Sequence, residues 1–354
     1  MNKRPPFFEY VGNVHIHSSY SDGSGKVAEI VRAAWKNGLD FIGLNEHEFL
    51  TDSLHLEQEG FHGKVLVLMG LELGERYHHY LAFNLSKMIR GKDLSPQEVI
   101  NRVSVHGGFG FLAHPFEKGM PFHEKSIAYT WNDLEVQGYA GICIWNYMSR
   151  WKERVRTPLH GLCCLLLKNL SLKGPSRETL AFWDGECRKR KVVAIGGSDA
   201  HADFFTWGPL RFRPFSYRNL LNTINIHILL KEPIATDFSK AKSQILRAMQ
   251  GGNLFIAHDG LTSARGFSFA YKTASGKTWG MGEEHVFEPG SVLVQSQKRG
   301  RIRVLRNGSL IREQKGFATR VEVDQRGVYR VVVERFIPFF GWKAWIFSNP
   351  VYLR

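Results

Sequence analysis

The stretch VGNVHIHSSYSDG, Val11–Gly23, decides how the rest of the chain is read. Its first half alternates as a strand does, and side chains two apart on a strand point the same way, so His15 and His17 are expected to project together. Asp22 can then return toward them from the loop that follows. Two imidazoles and a carboxylate near the start of an α/β unit suggest a metal-binding rim, provided later strands end in the same way.

They do. Apolar runs alternate with helical patterns over the first two-thirds of the chain. Val27, Ile30, Val31, Ala34 and Trp35 keep helical spacing, and Gly38 ends that helix. "DFIGLNEH", "KVLVLMGLELG" and "HHYLAFN" read as strands. Ser95, Pro96 and Glu98 form a capping box with proline at the first helical position. "GFGFLAHP", "GICIWN", a helix around Thr179 to Arg190, and "VVAIGGSDAH" follow. Repeated strand-then-helix units predict parallel strands with crossover helices, hence an α/β barrel or open sheet. His15/His17, His47, Glu72, His114 and Asp199/His201 each fall where a strand turns toward its helix, the rim at which barrels of this type place their sites.

After Leu261 the pattern changes. "GRIRVLRNGSLIREQ" alternates through Ile302 and Val304 to a hairpin turn at Asn307-Gly308, and "RVEVDQRGVYRVVVERF" repeats the alternation. A barrel over residues 1–262 and a small antiparallel β-sandwich over 263–354 are therefore expected. The aromatic run "FIPFFGWKAWIF" is read as sandwich core.

Composition is that of a globular protein: 354 residues, 43% hydrophobic and 23% charged. Cys143, Cys163, Cys164 and Cys187 lack CxxC spacing and read as buried thiols of a reducing compartment. The N-terminus has no apolar h-region and no stretch is long enough to cross a bilayer, so a cytoplasmic protein without membrane attachment is expected. Of the net charge of +14, +9 lies from Leu261 onward, with 16 Lys+Arg against 7 Asp+Glu, away from the chemical motifs. That basic face is compatible with polyanions, so nucleic acid stays open as a partner.

His15, His17, Asp22, His47, Glu72, His79, His114, Asp199 and His201 supply nitrogen and oxygen donors suited to Zn, Mn or Fe, without thiolates. Nine candidates exceed one coordination sphere, so two or three divalent ions are expected. His55, His62, His160 and His227 stand outside the pattern and read as surface or satisfied core histidines.

"HIHSSYSDG", "NEH", "GLELG", "AHP" and "GSDAH", in this order, resemble the PHP (polymerase and histidinol phosphatase) superfamily of metal-dependent phosphoesterases over about residues 10 to 260. The resemblance implies a distorted (β/α)7 barrel with a di- or trinuclear metal cluster at its carboxyl rim, and phosphate-ester hydrolysis. Carried over, His15, His17, Asp22 and His47 become ligands and Glu72 the bridging glutamate. His79, which fits the family's pattern better than His78, joins them with His114, Asp199 and His201. Two departures stand out: Asn45-Glu46-His47 replaces the common Thr-Asp-His, and Cys143 occupies a position often held by glutamate. "GFSFAY" and "WIFSNPVYLR" resemble the β-sandwich appended to some uncharacterised PHP proteins.

The expected chemistry is attack by metal-activated water on a phosphorylated metabolite or nucleotide, with Asp199 or His201 handling the proton. Lys118, Arg150, Arg154 and Arg211, with Arg213, are candidates for holding phosphate oxygens. The alternatives are an exonuclease on short oligonucleotides, a non-catalytic binding module, and hydrolysis of a C–N or other bond. Oligomeric state is not legible.

Overall fold

Runs that are apolar on both faces become the walls of a closed barrel. The computed structural model describes residues 7–74, 76–122, 128–207 and 209–354. Seven strands close the barrel: β1 (Phe8–Ile16), β2 (Phe41–His47), β3 (Val65–Leu73), β4 (Tyr80–Phe83), β5 (Phe109–Leu112), β6 (Gly141–Asn146) and β7 (Val193–Ala200). Every residue of β2 and β3 is buried, as expected of strands covered on both sides. Neighbouring backbones come so close that a Cβ on Gly197 would lie 2.0 Å from the Val14 carbonyl oxygen, which is why "IGGSD" carries glycine there.

Five of the seven pairings are parallel. The exception is β4, which runs antiparallel to both β3 and β5. The all-parallel expectation fails here for a simple reason of length. Six residues separate Leu73 from Tyr80, room for a hairpin connection and far too few for a crossover helix. The reversal matters for the site, because it puts the beginning of β4 at the rim where its neighbours end.

Helix α1 (Val27–Lys36) buries Val27, Ile30, Ala33 and Ala34. Trp35, placed by spacing on that stripe, is 61% exposed, because it lies one residue, about 100°, beyond Ala34 around the helix. Helix α2 (Pro96–Val105) begins with the expected capping box, and α3 (Arg177–Lys189) is capped by Ser176. Cys143, Cys164 and Cys187 are buried thiols, whereas Cys163 is exposed, the two adjacent cysteines facing different sides of one helix. Among the described residues no helix is long and apolar enough to cross a membrane.

Beyond the barrel, β8 (Ile224–Leu230) pairs antiparallel with the first half of β1, and β9 (Leu254–His258) continues that sheet. The remaining main strands are β10 (Ser268–Thr273), β11 (Gly290–Arg306), β12 (Ser309–Val323), β13 (Gly327–Ile337), β14 (Gly341–Ser348) and β15 (Val351–Leu353). The long hairpin β11–β12, its register shifting between Gln295 and Gly300, is shared by two layers. One layer holds β10 beside β11, and the other holds β13 and β14 and meets β9. Phe269, Tyr271, Val292 and Val294 of one pack with Ile302, Val304, Val331 and Ile346 of the other in a second core. The turn between β11 and β12 has Asn307 and Gly308 at φ 52 and 84°, the two positive values a type I′ hairpin needs.

Only part of "FIPFFGWKAWIF" is core. Trp345, Ile346 and Phe347 are buried, but Phe336, Phe339 and Phe340 are exposed, because the β13–β14 connection projects past the packed layers. A cleft of about 1120 Å³ opens beside Phe7, Leu230, Arg247 and Lys272. Since Leu230 pairs with Phe8, at the start of β1, this cleft lies toward the end of the strand remote from His15.

Candidate metal centre

Each of the nine side chains singled out in the sequence reaches the rim by its own local route. His47 ends β2 and pairs across the ladder with Glu72, the penultimate residue of β3. His79 directly precedes the reversed strand β4, His114 follows β5 by two residues, and Asp199 and His201 flank the end of β7. Asp22 comes from the loop after β1.

Strand alternation alone does not bring His15 and His17 together. The register of β1 shifts between Val14 and Ile16, and His15 takes a left-handed φ of 74°. The bulge tilts the two rings by 56° and brings their centroids to 5.2 Å. His114 and Asp199, at φ 28 and 56°, also sit in backbone regions that side-chain-bearing residues avoid. Such outliers persist only where surrounding structure imposes them.

Glu72, 1% exposed, is the hub. Its Oε2 lies 3.0 Å from His15 Nε2, 3.2 Å from His17 Nε2 and 3.5 Å from His47 Nδ1. Its Oε1 lies 2.8 Å from His79 Nδ1 and 3.4 Å from His114 Nε2. Asp199 Oδ1 is 3.2, 3.4 and 3.6 Å from His15, His17 and His201. Asp22 closes the far side, 3.6 Å from His17, 3.6 Å from His47 and 3.3 Å from His201. The donor atoms form three overlapping groups, each within 4.8 Å: His15, His17, Glu72 and Asp199; His17, Asp22, His47 and His201; His47, Glu72 and His79.

Burial works against every charge here, and at Glu72, Asp199, His17 and His114 the opposite charges outweigh it. Glu72 and Asp199 stay well below the usual carboxylate range, despite burial, because imidazoles surround them. Against the same desolvation, Asp199 and Glu72 raise His17 to about 10, and Glu117 and Glu72 raise His114 to about 9. His47 goes the other way, to about 3, through burial and the nearby charge of His17. The buried carboxylates thus require compensating cations, which are either protons on the imidazoles or metal ions.

The donor set fits metal ions. His15 Nδ1, both ring nitrogens of His17, His47 Nδ1 and His79 Nε2 are buried without a hydrogen-bond partner. Several approach carboxylate oxygens without hydrogen-bond geometry, as donors aimed at a shared cation do.

Two neighbours escaped the sequence reading. Asn146 Nδ2 donates to Asp199 Oδ2 at 3.1 Å, and Glu117 Oε2 lies 3.0 Å from His114 Nδ1. Asn146 ends β6 and obeys the same strand-end rule as the others. Glu117 is three residues past His114 and carried no signal. Of the departures, Glu46 accepts from the Ser18 N–H and from Ser21 Oγ, at 3.1 and 2.5 Å, so its longer carboxylate fastens the loop that carries Asp22. Cys143 is a neutral thiol, pushed up to about 12 by burial. His78 turns away from the cluster, its Nε2 accepting from the Asn132 N–H at 3.3 Å.

Most of the candidate phosphate-holding cations are engaged elsewhere. Lys118 pairs with Glu178 at 2.6 Å, and Arg150 with Glu153 and the Gly174 carbonyl. Arg154 lies near Lys343 of β14. Arg211 and Arg213 stack on the half-exposed Phe204, three residues beyond His201, at 4.0 and 4.1 Å, and Arg213 also pairs with Glu29. Phe49 presents another partly exposed ring 5.1 Å from that of His47.

No curated protein matches the chain. Among solved structures it is similar to a two-domain protein containing predicted PHP-like metal-dependent phosphoesterase from Bacteroides vulgatus ATCC 8482, at 15% identity and TM-score 0.46, over 97% of this chain and 95% of that one. PsfC from Pseudomonas syringae PB-5123 is similar at 12% identity and TM-score 0.40, over 67% of this chain and 88% of that one. The family model for the PHP domain matches residues 13–134, which carry His15, His17, Asp22, His47, Glu72, His79 and His114. Residues 13–134, about a third of the chain, are thus similar to the PHP domain, and the seven-stranded barrel closes around them.

Proposed function

We propose that this protein is a metal-dependent hydrolase of phosphate esters, acting on a small phosphorylated metabolite or nucleotide. The observation that carries it is the convergence of six imidazoles and three carboxylates at one rim, with five buried imidazole nitrogens unpartnered. His15, His17, Glu72 and Asp199 would hold one divalent ion, and His17, Asp22, His47 and His201 a second; His47, Glu72 and His79 would begin a third, with His114 beside Glu72. Bound there, such ions lower the pKa of water and neutralise phosphate oxygens.

The chain's own groups supply the rest. Glu72, through both oxygens, fixes the spacing of the donor groups. Asp199, held by the Asn146 amide, and His201 stand at the more open side of the cluster, where a proton can be taken up or delivered. The Arg211–Phe204–Arg213 stack offers positive charge to the non-reacting phosphate oxygens.

A second reading, an exonuclease on short oligonucleotides, is favoured by the exposed rings of Phe49 and Phe204, which suit base stacking. Elemental analysis of the purified protein, with a hydrolysis screen of sugar phosphates, nucleotides, cyclic phosphodiesters and oligonucleotides plus added Mn or Zn, tests both. Metal content with phosphate release supports the proposal. A steep salt dependence on oligonucleotides alone selects the second reading, and a metal-free, inert protein refutes both.

A further inference from the structure

The edge of β1 that faces away from β2 changes partner along its length. Phe8 to Gly12 pair with β8, whereas Val14 and Ile16 pair with β7. Asn13 stands at the change. Between the pairs Val14–Gly197 and Ile16–Ala200, β1 has one residue, His15, and β7 has two, Ser198 and Asp199. Two residues set against one make a bulge, where the regular ladder is broken and the backbone needs other support. His15 and Asp199, the left-handed residues of this bulge, both carry donors of the cluster.

Side chains supply the support. Asn13 accepts at Oδ1 from Ser198 Oγ at 2.7 Å, and its Nδ2 donates to the Ile224 carbonyl at 2.9 Å and to Asn225 Oδ1 at 2.8 Å. Asn225 Nδ2 donates in turn to Asp259 Oδ2 at 3.0 Å, just beyond β9. From the β2 side, Asn45 Oδ1 accepts from the His15 N–H at 3.3 Å. One amide therefore joins β1, β7 and β8 at the place where β1 exchanges one neighbour for another. Asn13, Ser198 and Asn225 are all buried, so solvent does not replace a bond that is lost among them.

We propose that Asn13 and Ser198, with Asn225 behind them, are positioning residues of the metal centre: they fix the bulge so that His15 Nε2 and Asp199 Oδ1 stand 3.2 Å apart, ready for a shared cation. The inference rests on the metal-dependent reading above. None of the three is a ligand; they act through the backbone that carries two ligands, as partners that orient metal-binding groups do.

The test is calorimetric titration of the metal-free protein with Mn, with the visible absorption band of the Co-loaded protein recorded alongside. Ser198→Ala is expected to weaken the tightest Mn site about 10- to 100-fold and to alter the cobalt band at saturation. Asn225→Ala, on a strand that carries no ligand, is expected to weaken it at least about threefold. Ser348→Ala removes an equally buried hydroxyl in the sandwich, where it accepts from the Val331 N–H at 2.8 Å, and is expected to leave both readouts at the parent values. A parent that binds no ion overturns the metal-dependent reading and this one together. A parent that binds Mn, with Ser198→Ala equal to it in affinity and cobalt band, or with Ser348→Ala weakened as much as Ser198→Ala, overturns the positioning role alone. Should Ser198→Ala fail to fold, parental affinity and cobalt band in Asn225→Ala overturn that role.

Discussion

Glu72→Gln keeps the shape of the hub and removes its charge, so it separates a metal-binding cluster from a merely packed one. Its two oxygens meet five imidazoles between 2.8 and 3.5 Å, so this one carboxylate belongs to two of the three donor groups and touches His17 and His47 of the remaining one. At a metal concentration about a thousand times Kd, binding to the native state stabilises it by about 4 kcal/mol. For a chain of 354 residues melting as one unit, at about 2.1 cal/mol/K per residue, that raises the midpoint by roughly 5 °C. Loss of the anionic donor, taken as a hundredfold weakening or about 2.7 kcal/mol, leaves a rise of roughly 2 °C at the same metal concentration. Calorimetric melting with and without added Mn or Zn, alongside metal content by elemental analysis, measures both. If Glu72→Gln binds as many ions as the parent and melts with the same metal-induced rise, Glu72 is not the shared donor and the cluster needs another explanation.

Further outcomes follow from individual contacts. Asp199→Asn is expected to lower turnover by orders of magnitude while leaving the circular dichroism spectrum and melting cooperativity intact; unchanged turnover removes Asp199 from the proton path. Glu117→Gln, which frees His114 Nδ1 from its carboxylate, should weaken metal affinity about 10- to 100-fold, and an unchanged titration isotherm would count against an orienting role. His227 is buried between Glu9 and Asp259 at 2.6 and 3.0 Å; burial opposes its charge, but the two carboxylates raise it to about 9. Its contribution, roughly 3 kcal/mol, is fully present below about pH 6.5 and lost as pH rises through about 9. Urea unfolding at pH 6 and pH 10 should show that loss in the parent and not in His227→Gln. Thiol labelling of the native chain should modify Cys163 ahead of the other three, and rapid labelling of Cys143 would contradict its burial.

The rim was legible because barrel topology turns one-dimensional strand ends into neighbours in space. His47, Glu72, His114, Asp199 and His201 could be placed by asking where an apolar run stops, whereas Asp22 lies on a loop and His79 before a strand begins. That rule says nothing about direction, so the reversal of β4 went unread, although the short link between Leu73 and Tyr80 already forbids a crossover helix. The bulge at His15 was hidden too, since a register shift depends on what both neighbouring strands do. Glu117 and the pairings of Lys118 and Arg150 depend on loop paths that leave no periodic trace. In the second half, alternation predicted the strands but not how far each extends past the packed layers, hence the exposure of Phe339. Trp35 fell off its stripe for a similar reason, because helical spacing fixes an angle while burial depends on the width of the groove.

Strain and charge accumulate at the same residues, and this links the fold to the proposed chemistry. His15, His114 and Asp199 hold left-handed backbone at about 1–3 kcal/mol apiece, where glycine would relax the chain but bring no donor. The same three residues belong to a network in which buried carboxylates raise His17 to about 10 and His114 to about 9, so that these imidazoles hold protons. Packing alone gives no reason to maintain either cost, since an apolar rim of equal volume would avoid both. A cation that displaces those protons gives the strained geometry a purpose, because it rewards donors held in advance and loses affinity when they relax. The strained backbone and the unpartnered nitrogens are thus two consequences of one requirement, a rim shaped for ions before they arrive.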